Sequence, residues 1–194
     1  GQVNPGLIEN PNHAITRFGS KMGHRMIKMS GAAAGLVFDL IEKHNIKCDP
    51  RPVGWVRAAH NKRSLRHLEE RARQWDTHGE TMQRLNSSEI AQLLGTEAYV
   101  GGIIDLRGGN IHPLNYALGL ADAALAEGAQ IYGHSKVEIL TSANQLHKLT
   151  TQHGCVCTKR ILVCTNGYSD DLIPGLRQSV VPIRSIQVAT KPLS

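Results

Sequence analysis

Apolar residues in this chain switch between helical spacing and short strand-like runs, an order that excludes both an all-helical bundle and an all-β sandwich. Residues 1–19, rich in Gly, Pro and Asn, read as loop. From Ser30 the helical period is clear. Ala33, Leu36, Val37, Leu40 and Ile41 share a face, with Asp39, Glu42 and Lys43 outside it, predicting a helix to about Ile46. Cys48-Asp49-Pro50 ends it, and Val53–Ala59 reads as a strand. A second helix carries Leu65, Leu68, Ala72 and Trp75 on one stripe. Asn86, with Glu89 three residues on, is a capping box for a helix that runs through Leu94 and closes at Gly95.

The second half repeats the switch. Tyr99–Leu106 predicts a strand, and Pro113 opens a helix whose Leu114, Ala117, Leu118, Ala121 and Leu125 share one face before Gly128 stops it. Short strands are expected at Ala129–Tyr132, Val137–Leu140, Gln145–Thr150, Cys155–Thr158, Arg160–Cys164 and Val180–Thr190. The run Ile161-Leu162-Val163-Cys164 is continuous, as for a strand covered on both faces. No fixed-period repeat and no Pro/Gly/Ser linker interrupts the order. The expected class is α/β, of a mixed α+β kind.

Charge and cysteine narrow the function classes. Residues 1–76 hold 13 Lys/Arg against 7 Asp/Glu, while the rest is balanced. Aromatics are only 4%, so the stacking surfaces of a nucleic-acid module are missing, and nucleic acid is not expected as a partner. Runs such as Glu69-Glu70-Arg71-Ala72-Arg73 alternate in sign and read as a solvated face. No segment approaches the roughly 18–20 apolar residues of a membrane helix, so no membrane partner is expected. The four cysteines (Cys48, Cys155, Cys157, Cys164) form neither a disulfide framework nor a zinc cluster, and no metal is expected. With no signal-like opening, the expected location is the cytoplasm. Self-sufficient motifs are missing as well: no GxGxxG, no phosphate loop and no nucleophile elbow occur.

Several segments taken in order say more. Gly1-Gln2-Val3-Asn4-Pro5-Gly6 comes first. Gly101-Gly102-Ile103-Ile104-Asp105 follows, leading through His112-Pro113-Leu114, Leu118-Gly119-Leu120 and Gly128-Ala129. His134-Ser135-Lys136-Val137, then Val163-Cys164-Thr165-Asn166-Gly167-Tyr168-Ser169, then Val181-Pro182-Ile183-Arg184-Ser185 and Ala189-Thr190-Lys191-Pro192-Leu193 complete the series. This order resembles the D-amino-acid-oxidase-like superfamily of FAD-dependent oxidoreductases, nearest to its gamma-glutamylputrescine oxidoreductase and glycine/sarcosine oxidase branch. The resemblance implies a substrate-domain portion with part of the FAD-binding domain. It also implies that the GxGxxG unit lies before Gly1 and a closing flavin-contacting segment after Ser194. Residues 1–194 would then be a partial FAD-dependent oxidoreductase domain, truncated at both ends.

Several site residues follow from the resemblance. Gly1 and Gln2 would lie against the flavin, Val137 would present backbone groups to adenine, and Thr165, Asn166 and Gly167 would contact neighbouring parts of the cofactor. Plain alternatives are an ordinary strand valine and a strand-ending turn. His112 sits on a loop that approaches the flavin face in the family, or else is a helix-start histidine bonded locally. Arg107 and Arg184 would pair with a substrate carboxylate or form ion pairs. The implied activity is oxidation of a primary or secondary amine or amino acid by hydride transfer to flavin, in the whole protein. The chain alone is expected to be inactive and weak in FAD, or free of it. The competing reading is a non-catalytic α/β binding or assembly domain. Apolar surface left bare by truncation would favour homo-oligomers.

Overall fold

The first strand, β1 (Gln2–Val3), runs into a turn at Gly6 and then into the long helix α1 (Pro11–Lys43). Pro11 suits the first helical turn, where its missing N–H leaves nothing unpaired. These elements belong to a computed structural model that describes residues 1–183 and separates into two compact units, Gly1–Gln130 and Ile131 onward. The expected loop over residues 1–19 therefore ends at Asn10, and the helix begins well before Ser30. It buries the small residues Ala14, Gly23 and Gly31, which a period of large apolar side chains does not signal. The buried face is also turned from the expected one. Ile27, Ala34 and Ile41 are buried and Val37, Phe38 and Leu40 half-buried, whereas Ala33 and Leu36 face solvent.

Strand β2 (Trp55–Ala59), helix α2 (Lys62–Asp76), strand β3 (Gln83–Leu85), helix α3 (Ser87–Leu94) and strand β4 (Gly101–Asp105) form the first core. Antiparallel pairing gives the order β2-β4-β3, with Arg57 and Arg84 flanking Ile103. All five residues of β4 are buried. A Cβ at Gly102 would stand 2.5 Å from the Arg57 carbonyl oxygen, so only glycine permits this strand spacing. Trp75, Leu68 and Ala72 of α2 pack with Ile103, Ala59, Met82 and Ile27. The α2 stripe is the expected one, with Arg71 added to it. The capping box of α3 is complete: Asn86 accepts from the Ser88 and Glu89 amides, Glu89 accepts from the Asn86 amide, and Gly95 closes the helix at φ 70°.

Strand β5 (Gly109–Asn110) pairs with β1, and α4 (Pro113–Ala126) follows. Ile41, Ile46 and Cys48 form a second core with Phe38, Tyr116 and Leu120, and Gly119 lets α4 close onto Ile46. The face of α4 expected inside is bare instead: Leu114, Leu118 and Leu125 are about half exposed or more, and no residue of the helix is buried.

The second unit holds an antiparallel meander of β6 (Ile139–Ala143), β7 (Leu146–Thr151) and β8 (Gly154–Thr158). Asn144 and Gln145 both take positive φ, which fits the right-handed twist of a two-residue hairpin. Ala129–Tyr132 is not a strand, nor is Arg160–Cys164, where Leu162 is 87% exposed. A strand requires a neighbour for its N–H and C=O groups, and no described strand pairs with either run. Val180–Ile183 is not a strand either, and the remainder of the expected run to Thr190, with Arg184, lies outside the described residues.

Candidate functional site

In the first unit, main-chain bonds set the N-terminal strand beside the glycine loop after β4. Gln2 pairs with Asn110 and Val3 with Gly109. The Gly1 amino group donates to the Ile111 carbonyl at 2.6 Å, and the Ile111 amide donates back to the Gly1 carbonyl at 2.9 Å. On the other side of this loop Arg51 and Asn110 exchange two bonds, and the His112 amide donates to the Cys48 carbonyl at 2.7 Å. A Cβ at Gly108 would stand 2.7 Å from Trp55 Cβ and 2.9 Å from the Val3 carbonyl oxygen, and one at Gly109 would meet the Arg51 carbonyl. The Gly-Gly pair is thus required by three backbones meeting at one point. The fold thereby brings Gly1, Gln2 and His112 together.

His112 is the N-cap of α4. Its Nδ1 accepts the Asn115 amide at 3.2 Å, and the Nε2 of the exposed ring has no partner among the described residues. In the neutral ring this bond places the proton on Nε2, so the outward atom is a donor. The local, helix-capping reading and an outward polar atom coexist in one side chain.

Behind the platform lies a charged cluster. Arg107 makes a two-pronged bond to the buried Asp105 carboxylate, at 2.9 and 2.7 Å, stands 3.3 Å from Glu80, and stacks over Trp75 at 4.5 Å. Burial opposes its charge, but the Asp105 bond and charge, then Glu80, outweigh burial and hold its pKa above the ordinary value. Of the two readings of Arg107, the structure shows the ion pair, made internally rather than at the surface.

Arg71, expected on a solvated face, is 2% exposed. Its guanidinium donates to the Leu7 carbonyl at 2.7 Å and, at 3.2 Å each, to the Ile8 and Glu9 carbonyls and Asn10 Oδ1. Burial, then repulsion from Arg57, lowers its pKa. The five-donor fork of arginine matches this set of carbonyls, which a lysine ammonium would not span. This clamp fixes the segment joining the platform strand to α1. It was legible in principle, because Arg71 falls on the Leu68–Ala72–Trp75 stripe.

In the second unit, Val137 lies just before β6, half-buried, and the Glu138 amide donates to the Thr150 carbonyl at 2.8 Å. Val137 itself lines a recess of about 370 Å³ with Tyr132, Leu149, Cys155 and Val156. Thr165-Asn166-Gly167 opens a 3-10 turn in which the Thr165 and Ser169 hydroxyls meet at 2.7 Å. Asn166 takes φ 46°, and among the described residues a Cβ built at Gly167 would meet only Pro182 Cβ, at 3.9 Å, so little crowds the turn's backbone there. Lys136 and Asp170 form an ion pair at 3.0 Å that ties the Val137 segment to this turn. The pair raises the Lys136 pKa and lowers that of Asp170, in each case first through the shared hydrogen bond. The six cofactor candidates thus fall in two sets, one in each unit: Gly1 and Gln2 in the first, and Val137 with Thr165, Asn166 and Gly167 in the second.

Among the described residues no cluster of three or more metal-ligating side chains occurs, and no helix is long and apolar enough to cross a membrane.

Comparison with known proteins agrees with the ordered segments. The family described as DAO, FAD dependent oxidoreductase, matches residues 1–194. A probable oxidoreductase OrdL of Haemophilus influenzae is 32% identical over all of this chain and 46% of its own length. Gamma-glutamylputrescine oxidoreductase of Escherichia coli is 31% identical over 82% of this chain and 37% of its own. In structure, glycine oxidase from Geobacillus kaustophilus is similar over 92% of this chain and 46% of that one, with a TM-score of 0.69 at 20% identity, a likeness of fold. The chain spans less than half the length of the curated relatives it matches. With the fold, the ordered segments and the full-length match in agreement, the chain belongs to the DAO family of FAD-dependent oxidoreductases.

Proposed function

We infer that the protein to which these residues belong oxidises a primary or secondary amine or amino acid. The observation that carries this reading is the platform in which β1 and the Gly108–His112 loop are bonded into one surface, within a chain matched throughout by an FAD-dependent family. FAD, when bound, supplies the acceptor for a hydride leaving the carbon beside the amine nitrogen.

The residues present fit parts of that cofactor. The Gly1–Gln2 edge is held through Gly1 to Ile111 and packs against Pro113, and it would lie beside the flat ring. The His112 Nε2 donor beside it would orient a polar group of the substrate or ring. In the second unit, the Val137 backbone and the open Thr165–Gly167 turn would hold the adenine side. The pyrophosphate needs several N–H donors at a helix start behind a close glycine turn, and no GxGxxG occurs in the 194 residues. Tight FAD binding therefore belongs to the longer protein, and the chain alone holds FAD weakly and is inactive.

No side chain here is assigned as a catalytic base, because a neutral amine can lose hydride without one. The test is the full-length protein. It should purify with a flavin absorbance band that bleaches when a gamma-glutamylated or simple primary amine is added without oxygen. A colourless protein that does not take up FAD would overturn the reading.

A further inference from the structure

Helix α1 carries a surface that the reading above does not use. Beyond Gly19, whose φ of 77° and ψ of 162° interrupt the helix, Met22, Met29, Ala33 and Leu36 recur at steps of seven, four and three. They form one stripe. All four are exposed, Met29 by 68% and Leu36 by 58%. Phe18 lies before the interruption but lines the same recess as Lys21, Met22 and Arg25, and it is 48% exposed. Gly23, Ile27, Gly31 and Ala34 take the opposite, buried face, so this ridge is not a core stripe that has slipped.

A second stripe of exposed side chains runs alongside: Lys21, Arg25 and Lys28, at steps of four and three, with Arg17 ahead of them over the Phe18 ring at 5.4 Å. None of the four cations has a carboxylate partner among the described residues. From Asn10 to Phe38 the sequence contains no Asp or Glu at all. An ordinary solvated helix face mixes both signs, and this one does not.

We propose that this ridge of α1 docks on an anionic lipid surface, lying in the plane of the interface with Phe18, Met22, Met29 and Leu36 dipped below the headgroups. Charge complementarity selects that occupant. The cations flank the apolar stripe and reach outward on long stems, the arrangement by which lysine and arginine meet headgroup phosphates while apolar neighbours enter the acyl boundary. A second copy would bring the same uncompensated cations against these. Nucleic acid would satisfy the cations but would leave the methionine stripe in water. A surface contact requires no spanning helix, so it is compatible with the lengths and polarities of all the described helices.

The test is co-sedimentation of the full chain with vesicles of phosphatidylcholine alone and of phosphatidylcholine mixed with phosphatidylglycerol. Binding should occur on the mixed vesicles only. Each cation near an anionic surface is worth about a five-fold factor in partition, so Lys21→Glu with Arg25→Glu should lower it by at least ~10-fold. Lys21→Gln with Arg25→Gln serves as a milder pair should the reversal disturb folding. Met22→Ser with Met29→Ser should lower partition about five-fold or more, through lost apolar burial. All these side chains are exposed, so thermal melting should not change. Equal binding to neutral vesicles, no binding, or retention by the charge variants would overturn the proposal. Capture of soluble polyglutamate that survives the methionine changes would point to an acidic protein instead. Self-association abolished by those changes would point to a second copy. Either result also overturns it.

Discussion

Asp105 and Arg107 show how much one buried pair can carry. Removing one partner leaves the other charge without compensation, which costs about 3–5 kcal/mol. Asp105→Ala should therefore lower urea-unfolding stability by that order, and adding Arg107→Ala should recover part of the loss in a double-mutant cycle. Trp75, 1% exposed and covered by Arg107, should cost about 3–5 kcal/mol as Trp75→Ala by the same measurement. The thiols separate equally sharply. Cys48 is fully buried, and burial, then the Asp49 charge, pushes its pKa up, while Cys155, Cys157 and Cys164 are exposed. A thiol reagent at mildly alkaline pH should label those three within minutes and Cys48 only on unfolding, as read by mass spectrometry of peptides. The sequence could announce Trp75 because it sits on an apolar period. It announced Arg71 only weakly: the residue falls on the same stripe, but a charged side chain in an alternating run looks solvated until the fold supplies four acceptors around it.

Among the elements, α2, α3 and β4 were legible because each carries its own signal: a wide stripe, a capping box, or an apolar strand bounded by glycines. The start and facing of α1 were not, since its packing uses Gly23, Gly31 and Ala34, whose small size lets Trp75 and Arg107 come close to Gly31. The segment Leu7–Asn10 depends on α2 rather than on its own sequence. Arg71→Met should raise hydrogen exchange over residues 7–10 well above the rise elsewhere, whereas a uniform rise would show global destabilisation instead. In the second unit the Lys136–Asp170 pair joins two candidate cofactor segments. Because the pair lowers the Asp170 pKa below its ordinary 3.8, its contribution is present above that value and fades as pH falls through the lower, folded value. An NMR titration of the Asp170 carboxyl should show that depressed midpoint, and Lys136→Met should return it upward.

At the level of the whole molecule, the mixed helix-and-strand class and the family were readable from the order of segments, and Gly1, Gln2 and His112 do share one surface. The strands expected at Ala129–Tyr132 and Arg160–Cys164 were not formed, since a run of apolar residues becomes a strand only beside a partner. Ile131, Tyr132, Leu162 and Val163 of those runs, with Leu114, Leu118 and Leu125 of α4, remain exposed. We expect the isolated chain to self-associate through the α4 face, so that Leu118→Glu shifts its sedimentation toward the monomer. By the function proposed here, these residues would supply two contact regions for FAD and none for its pyrophosphate. FAD titrated into the 194-residue chain at near-physiological ionic strength, followed by flavin fluorescence, tests this most directly. Little quenching is expected, and whatever occurs should be lost as moderate salt screens the basic residues 1–76. Stoichiometric quenching that resists salt would show a complete site within these residues and contradict this reading.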